Sequence, residues 1–120
     1  MKLEDIGFYT LSDDRAKNVG LTSPLWRCEL ILTDRCNFNC PYCRGVKSQY
    51  SGDIPFGLAK YVVDLWCEDH LQNIRFSGGE PTLYPQLDVL IKRAVKGGVK
   101  RIAVSSNGSA PVEYYKYLVD

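Results

Sequence analysis

The chain has 120 residues, 45% apolar and 24% charged, which is enough for about one soluble domain. Lys and Arg number 15 against 14 Asp and Glu, a formal net charge of +1, which excludes a nucleic-acid binder working through bulk positive charge. No apolar run reaches the roughly 18 residues of a membrane helix, and Met1-Lys2-Leu3-Glu4-Asp5 opens no apolar leader, so a cytoplasmic chain with no membrane or nucleic-acid partner is expected.

Residues 1–25 are mixed and weakly periodic, and read as an N-terminal extension in which Phe8, Tyr9 and Leu11 suggest a short packed element. The core domain is expected over 26–120. Trp26-Arg27-Cys28-Glu29-Leu30-Ile31-Leu32-Thr33 is an apolar run of strand length. A cysteine cluster follows immediately. Asp53-Ile54-Pro55 reads as a helix entry, with a capping residue and a proline in the first turn. Between Phe56 and His70, Leu58, Tyr61, Val62, Leu65 and Trp66 recur at helical spacing opposite Lys60, Asp64 and Glu68. This predicts an amphipathic helix with those five residues on its core side.

Asn73 to Ser77 alternates as a short second strand and ends at Gly78-Gly79. Pro85 to Lys96 is the second helix, apolar at Leu87, Leu90, Ile91, Ala94 and Val95. Gly97-Gly98 stops it in the manner of a left-handed cap. Arg101 to Ser105 is a third strand, and Pro111 opens a third helix in which Tyr114, Tyr115 and Tyr117 serve packing and surface. Three alternations of strand and helix imply a parallel sheet with right-handed crossovers. A closed eight-unit barrel takes about 250 residues, so the chain reads as the first half of a larger α/β fold, with a bare edge on its third strand.

Side chains alternate faces along a strand. Cys28, Leu30 and Leu32 share one face of the first strand, against Glu29, Ile31 and Thr33. Ile74 and Phe76 oppose Arg75 and Ser77, and Ile102 and Val104 oppose Arg101, Ala103 and Ser105. The apolar faces are expected to meet the helices. Glu29 and Arg75 are then expected to point inward, close enough for a salt bridge or a polar substrate contact.

Five cysteines stand at positions 28, 36, 40, 43 and 67, three of them within eight positions. An odd, clustered set argues for metal or redox chemistry rather than a disulfide framework. The C-x3-C-x2-C spacing of Cys36, Cys40 and Cys43 lets three thiolates converge on one inorganic core. Three is one short of a closed zinc site or a fully ligated four-iron cluster, which suggests an iron left open to an exogenous ligand. The alternative is a zinc site completed by Cys28, Cys67 or His70. Taken singly, Cys28 and Cys67 read as small buried hydrophobes, and His70 as a cation closing a helix. The Gly78-Gly79 pair permits close backbone approach to a ligand, or marks an ordinary strand-to-helix turn. Ser105 and Asn107 lie where parallel sheets place ligands, or belong to an Asn107-Gly108 turn.

The segment Thr33-Asp34-Arg35-Cys36-Asn37-Phe38-Asn39-Cys40-Pro41-Tyr42-Cys43 resembles the signature of radical S-adenosylmethionine (SAM) enzymes. It is most similar to the branch of the molybdenum-cofactor GTP cyclase and the peptide-modifying enzymes. Ile74-Arg75-Phe76-Ser77-Gly78-Gly79-Glu80-Pro81 resembles that family's GGEP motif, and Ser105-Ser106-Asn107-Gly108 the polar end of its third strand. The resemblance implies an α/β fold of parallel βα repeats, the first half of a partial (β/α)6 TIM-like barrel. It implies that Cys36, Cys40 and Cys43 hold a [4Fe-4S] cluster whose unique iron binds the amino and carboxylate groups of SAM. Reductive cleavage would release a 5′-deoxyadenosyl radical that abstracts hydrogen from a substrate the sequence does not name. Gly78, Gly79, Glu80 and Pro81 would meet the SAM ammonium, Tyr42 its adenine, and Ser105 and Asn107 its ribose or carboxylate. The implied partners are an electron donor such as flavodoxin or ferredoxin, the substrate, and the remaining half of the barrel. The competing readings are a zinc-binding interaction module and a non-catalytic fragment of the same fold.

Overall fold

Strands and helices alternate along the chain: β1 (Arg27–Thr33), α1 (Phe56–Glu68), β2 (Asn73–Gly78), α2 (Leu87–Lys96), β3 (Arg101–Val104) and α3 (Val112–Val119), with a 3-10 turn at Pro81–Leu83. The computed structural model describes residues 20–22, 25–38, 40, 41 and 52–120. The sheet order is β1-β2-β3 and both pairings are parallel. This is the expected βα repeat of a partial TIM-like barrel, with β2 at the centre. Leu30 pairs with Phe76 and Glu29 with Arg75, and Arg75 pairs in turn with Ala103. A register shift between Ile31 and Thr33 bends β1 at its C-terminal end.

The core lies on one face of the sheet. Leu30, Leu32, Ile74 and Phe76 meet Ala59 and Val63 of α1 and Leu87, Leu90 and Ala94 of α2. Each such Leu, Ile or Phe contributes about 1.5–3 kcal/mol on burial. On the opposite face Glu29, Ile31 and Ala103 are exposed. The strand parity therefore holds: apolar faces meet helices, mixed faces do not. The expected contact between Glu29 and Arg75 is half right. They are register partners on the mixed face, yet Arg75 Nε is buried without a partner and no ion pair joins the two.

The expected core stripe of α1 is displaced. Leu58, Tyr61 and Leu65 are 50%, 61% and 42% exposed, whereas Ala59 and Val63 are fully buried. Val62 and Trp66 pack at the core margin. The observed ridge steps by three and four through 59, 62, 63 and 66. Two apolar stripes run side by side on this helix, and the one with small Ala59 and Val63 at its centre faces the sheet, where those two permit close approach. In α2, Val95 also lies outside the core. It lines a cavity toward α3 with Ile91, Leu118 and Val119.

Both long helices end in the same backbone motif. In α2 the amides of Gly98 and Val99 donate to Val95 and Ala94 carbonyls, with Gly98 at φ 92°. That is the left-handed cap expected at Gly97-Gly98. In α1 the amides of His70 and Leu71 donate to Cys67 and Trp66 carbonyls, with His70 at φ 59°. His70 thus ends the helix through its backbone conformation, and its side chain is exposed. Tyr117 joins α3 to α2, donating to Asp88 at 2.9 Å and accepting from Lys92 at 2.6 Å.

Candidate cofactor site at the C-terminal edge of the sheet

Parallel strands end on a common edge, and three loops leave it. The first carries the cysteines, and its two ends are tied together. Ile54 N–H donates to Leu32 O at 2.8 Å and Asp34 N–H to Gly52 O at 3.2 Å. Arg35 donates to both carboxylate oxygens of Asp53 at 2.9 Å, and its Nη2 reaches Leu83 O at 2.9 Å. Thr33 Oγ1 accepts from the Arg35 amide at 3.0 Å. The Arg35 guanidinium, aided by the Thr33 hydroxyl, holds the Asp53 carboxyl below its usual range. The cysteine segment therefore leaves and rejoins the fold at one point. The capping role expected of Asp53 is not the one it has: Pro55 is the N-cap of α1, with no side-chain cap bond, and the Asp53 carboxylate is taken by Arg35. The available signal was an arginine directly before Cys36 and an acid at the helix entry.

The second loop is Gly78-Gly79-Glu80-Pro81. Gly78 has φ 149°, and a methyl group on it would overlap the Thr33 carbonyl. On Gly79 a methyl would lie 2.6 Å from the Arg35 carbonyl carbon. The amides of Gly79 and Glu80 donate to Thr33 O and Arg35 O, each at 2.8 Å. The close approach expected of these glycines is thus made to the backbone of the cysteine loop itself. Pro81 is buried at the start of the 3-10 turn.

Glu80 is fully buried. Its carboxylate accepts from Thr82 N at 3.3 Å and Thr82 Oγ1 at 2.5 Å. It also accepts from Ser106 Oγ at 2.9 Å and Asn107 N at 2.7 Å. These last two bonds fasten the third loop. Burying a carboxylate requires such donors. Tyr115 supports the same loop through its hydroxyl, 2.8 Å from Ser106 Oγ.

The third loop closes the ring. Asn107 Nδ2 donates to Asn37 Oδ1 at 2.9 Å and points at Cys36 Sγ from 4.0 Å. Asn37 Nδ2 donates to Ser109 Oγ at 2.9 Å. Phe38 N–H stands 3.5 Å from Cys36 Sγ. Cys36, Gly78, Gly79, Glu80, Pro81 and Asn107 are brought together, joined by Asn37, Ser106 and Ser109. Ser105 is exposed and joins through its backbone N–H, which donates to Phe76 O. Tyr42 and Cys43 lie outside the described residues.

Cys36 and Cys40 are free thiols, one exposed and one half-buried. Two N–H donors aimed at Cys36 Sγ suit a thiolate ligand, and Cys36 and Cys40 are donors of the type an iron–sulfur centre takes; the described residues by themselves bring no three such donors together. The proposed zinc completers do not join them. Cys28 and Cys67 pack at the core margin, where burial pushes both thiols up. Cys28 lies near the start of β1, and Cys67 and His70 at the end of α1, so all three occupy the opposite edge of the sheet. A methyl on Gly97 would strike Cys67 Sγ, which gives that sulfur a packing role. Among the described residues no helix is long and apolar enough to cross a membrane.

Comparison with known proteins agrees with this geometry. Residues 30–120 match the model of the radical SAM superfamily. The chain is similar to the GTP 3′,8-cyclase of Synechococcus elongatus, 34% identical over 84 residues, covering 66% of this chain and 26% of the relative. It is 33% identical over 95 residues to the enzyme of that name from Aquifex aeolicus, covering 73% and 29%. The figures for Staphylococcus aureus strain JH9 are 31% over 99 residues, covering 73% and 28%. The chain spans between a quarter and a third of the length of these relatives. A family match over most of the chain, falling on the three loops that meet at Cys36, places this chain in the radical SAM superfamily.

Proposed function

We propose that this chain supplies the cofactor-binding part of a radical SAM enzyme, with residues 26–120 as the front of the core and 1–25 as an extension. The observation that carries this reading is the meeting of Cys36, the Gly78–Glu80 turn and Asn107 on one edge of the sheet. Cys36, Cys40 and Cys43 would hold a [4Fe-4S] cluster. Bound with SAM and given one electron by the external donor, that cluster would supply reductive cleavage of SAM to methionine and a 5′-deoxyadenosyl radical able to abstract hydrogen from a substrate.

The chain's own residues position these groups. Gly78 and Gly79 seat the cysteine loop by admitting the Thr33 and Arg35 carbonyls. Glu80, whose oxygens are occupied by Thr82, Ser106 and Asn107, holds the third loop against that seat, which leaves the turn's backbone as the group to meet the SAM ammonium. Pro81 sets the direction of the turn. Asn107 orients Cys36 and lies within reach of SAM, with Ser105 beside it. Tyr42 would lie against adenine. The substrate, a flavodoxin- or ferredoxin-type electron donor, the remaining barrel strands and a cytoplasmic setting complete the proposal.

Anaerobic reconstitution with iron and sulfide tests it. The protein should turn brown, and its reduced cluster should give an electron paramagnetic resonance (EPR) signal that changes on adding SAM. Full iron loading in Cys40→Ala would overturn the assignment.

A further inference from the structure

The mixed face of the sheet carries cross-strand rows below the cofactor edge. Arg27, Asn73 and Arg101 form one row, Glu29, Arg75 and Ala103 the next, and Ile31 and Ser77 a third. The polar groups of β2 are anomalous. Asn73 is 4% exposed, and neither its Nδ2 nor its Oδ1 has a hydrogen-bond partner. Arg75 Nε is likewise buried and unpartnered. Among the described residues these are the buried side-chain polar atoms left without partners, and they lie two residues apart on one face of one strand. Such groups are costly to bury, and native proteins rarely leave them unmet. Glu29, the register partner of Arg75, is exposed and forms no ion pair with it.

We propose that Asn73, Arg75 and Glu29 form a recognition floor for a zwitterionic, amino-acid-type group of the substrate. The inference rests on the proposed function, and takes the mixed face of the sheet, opposite the helices, as the inner face on which the substrate lies. The guanidinium of Arg75 suits a carboxylate through paired N–H donors. Turning toward one exchanges an orphaned N–H for charge-assisted bonds. Glu29, one strand away at about 4.8 Å, suits an ammonium. Asn73 offers a donor and an acceptor together. A purely anionic group, such as a nucleoside triphosphate, would meet the arginines of this face but leave the Glu29 carboxylate without a partner. Glu29 precedes Thr33 by four residues, which sets the floor roughly 13 Å below the cysteine loop at the rise of a strand. A substrate held there by its zwitterionic end extends its remaining carbons toward the cofactor edge.

The test uses the anaerobically reconstituted protein with 15N in its Asn and Arg side chains. Glycine is the probe, as the smallest zwitterion, with acetate, methylammonium and GTP as comparisons. Glycine should saturably shift the Asn73 Nδ2 and Arg75 Nε signals in the millimolar range. Acetate and methylammonium should act at least about tenfold more weakly, a difference of about 1.4 kcal/mol, and any effect of GTP should be indifferent to Glu29→Gln. Glu29→Gln, at an exposed position that does not endanger folding, should weaken glycine about tenfold without changing melting temperature. Absence of a saturable glycine shift, or a shift unaltered by Glu29→Gln, overturns the proposal. A saturable GTP shift with glycine silent also overturns it. Iron content and the SAM-dependent EPR change, read on the same samples, separate the two levels. Their loss counts against the radical SAM reading, whereas their retention with silent glycine titrations counts against the recognition floor alone.

Discussion

Arg35 and Asp53, eighteen residues apart, meet through two hydrogen bonds of 2.9 Å each and so close the base of the cysteine segment. The Arg35 bond, then the Thr33 hydroxyl, lowers the folded carboxyl relative to the unfolded one. A depressed carboxyl contributes stability above the ordinary aspartate value of about 3.9, and that contribution is lost as pH falls through the lower folded value. Closure should therefore be constant around neutral pH and fail only in acid. Asp53→Asn should speed amide exchange at Asp34 at neutral pH, because Asp34 N–H bonds to the neighbouring Gly52 carbonyl. Exchange indistinguishable from the parent protein would show that the pair is a surface contact of no consequence.

Gly79 and Gly98 are constrained for different reasons, and alanine at each separates them. At Gly79 the new methyl meets backbone that cannot yield, the Arg35 carbonyl. At Gly98 nothing lies within 4 Å and only the φ of 92° resists. We expect Gly98→Ala to cost about 1–2 kcal/mol in denaturant unfolding. Gly79→Ala should cost more than that and also reduce iron loading, since it displaces the residue before Cys36. The reverse order of the two would count against the close approach as the reason for Gly79.

Glu80 links two loops by bonds to Ser106 and Asn107. Removing its side chain leaves those donors and the Thr82 hydroxyl without their acceptor in a half-buried place. Glu80→Ala should destabilise by about 1–3 kcal/mol. Glu80→Gln keeps one acceptor oxygen and should fall between alanine and the parent. Amide exchange at Asn107 gives the local readout. Equal melting temperatures for all three proteins would remove the carboxylate from this linking role.

The cysteines should divide by reactivity. Burial pushes the Cys28 and Cys67 thiols up, with Asp64 adding to the effect at Cys67. At neutral pH both stay protonated, and the thiolate is the nucleophile. In iron-free protein, iodoacetamide should modify Cys36 and Cys40 first. Cys28 and Cys67 should follow only as pH rises. Alanine at Cys36, Cys40 or Cys43 should prevent iron incorporation, while alanine at Cys28 or Cys67 should leave it intact. Rapid labelling of Cys67 at neutral pH, by peptide mapping, would contradict its packed position against Gly97.

The sequence alone determined the features whose causes are local. Strand parity in Cys28–Thr33 and Ile74–Ser77 placed Leu30, Leu32, Ile74 and Phe76 against the helices. Turn chemistry placed the left-handed cap at Gly97-Gly98, and cysteine spacing marked the segment from Cys36 to Cys43. Each follows from the geometry of a few consecutive residues. Periodicity found the helix Phe56–Glu68 but not its inward side, because two apolar stripes adjoin on it. Only packing against the sheet selected Ala59 and Val63 over Leu58 and Leu65. Tertiary structure alone decided the links of the site. Arg35 finds Asp53 across 18 residues, Ser106 finds Glu80 across 26, and Asn107 finds Asn37 across 70. Those pairs exist because parallel strands in register deliver three loops to one edge, and that register depends on every side chain buried between sheet and helices.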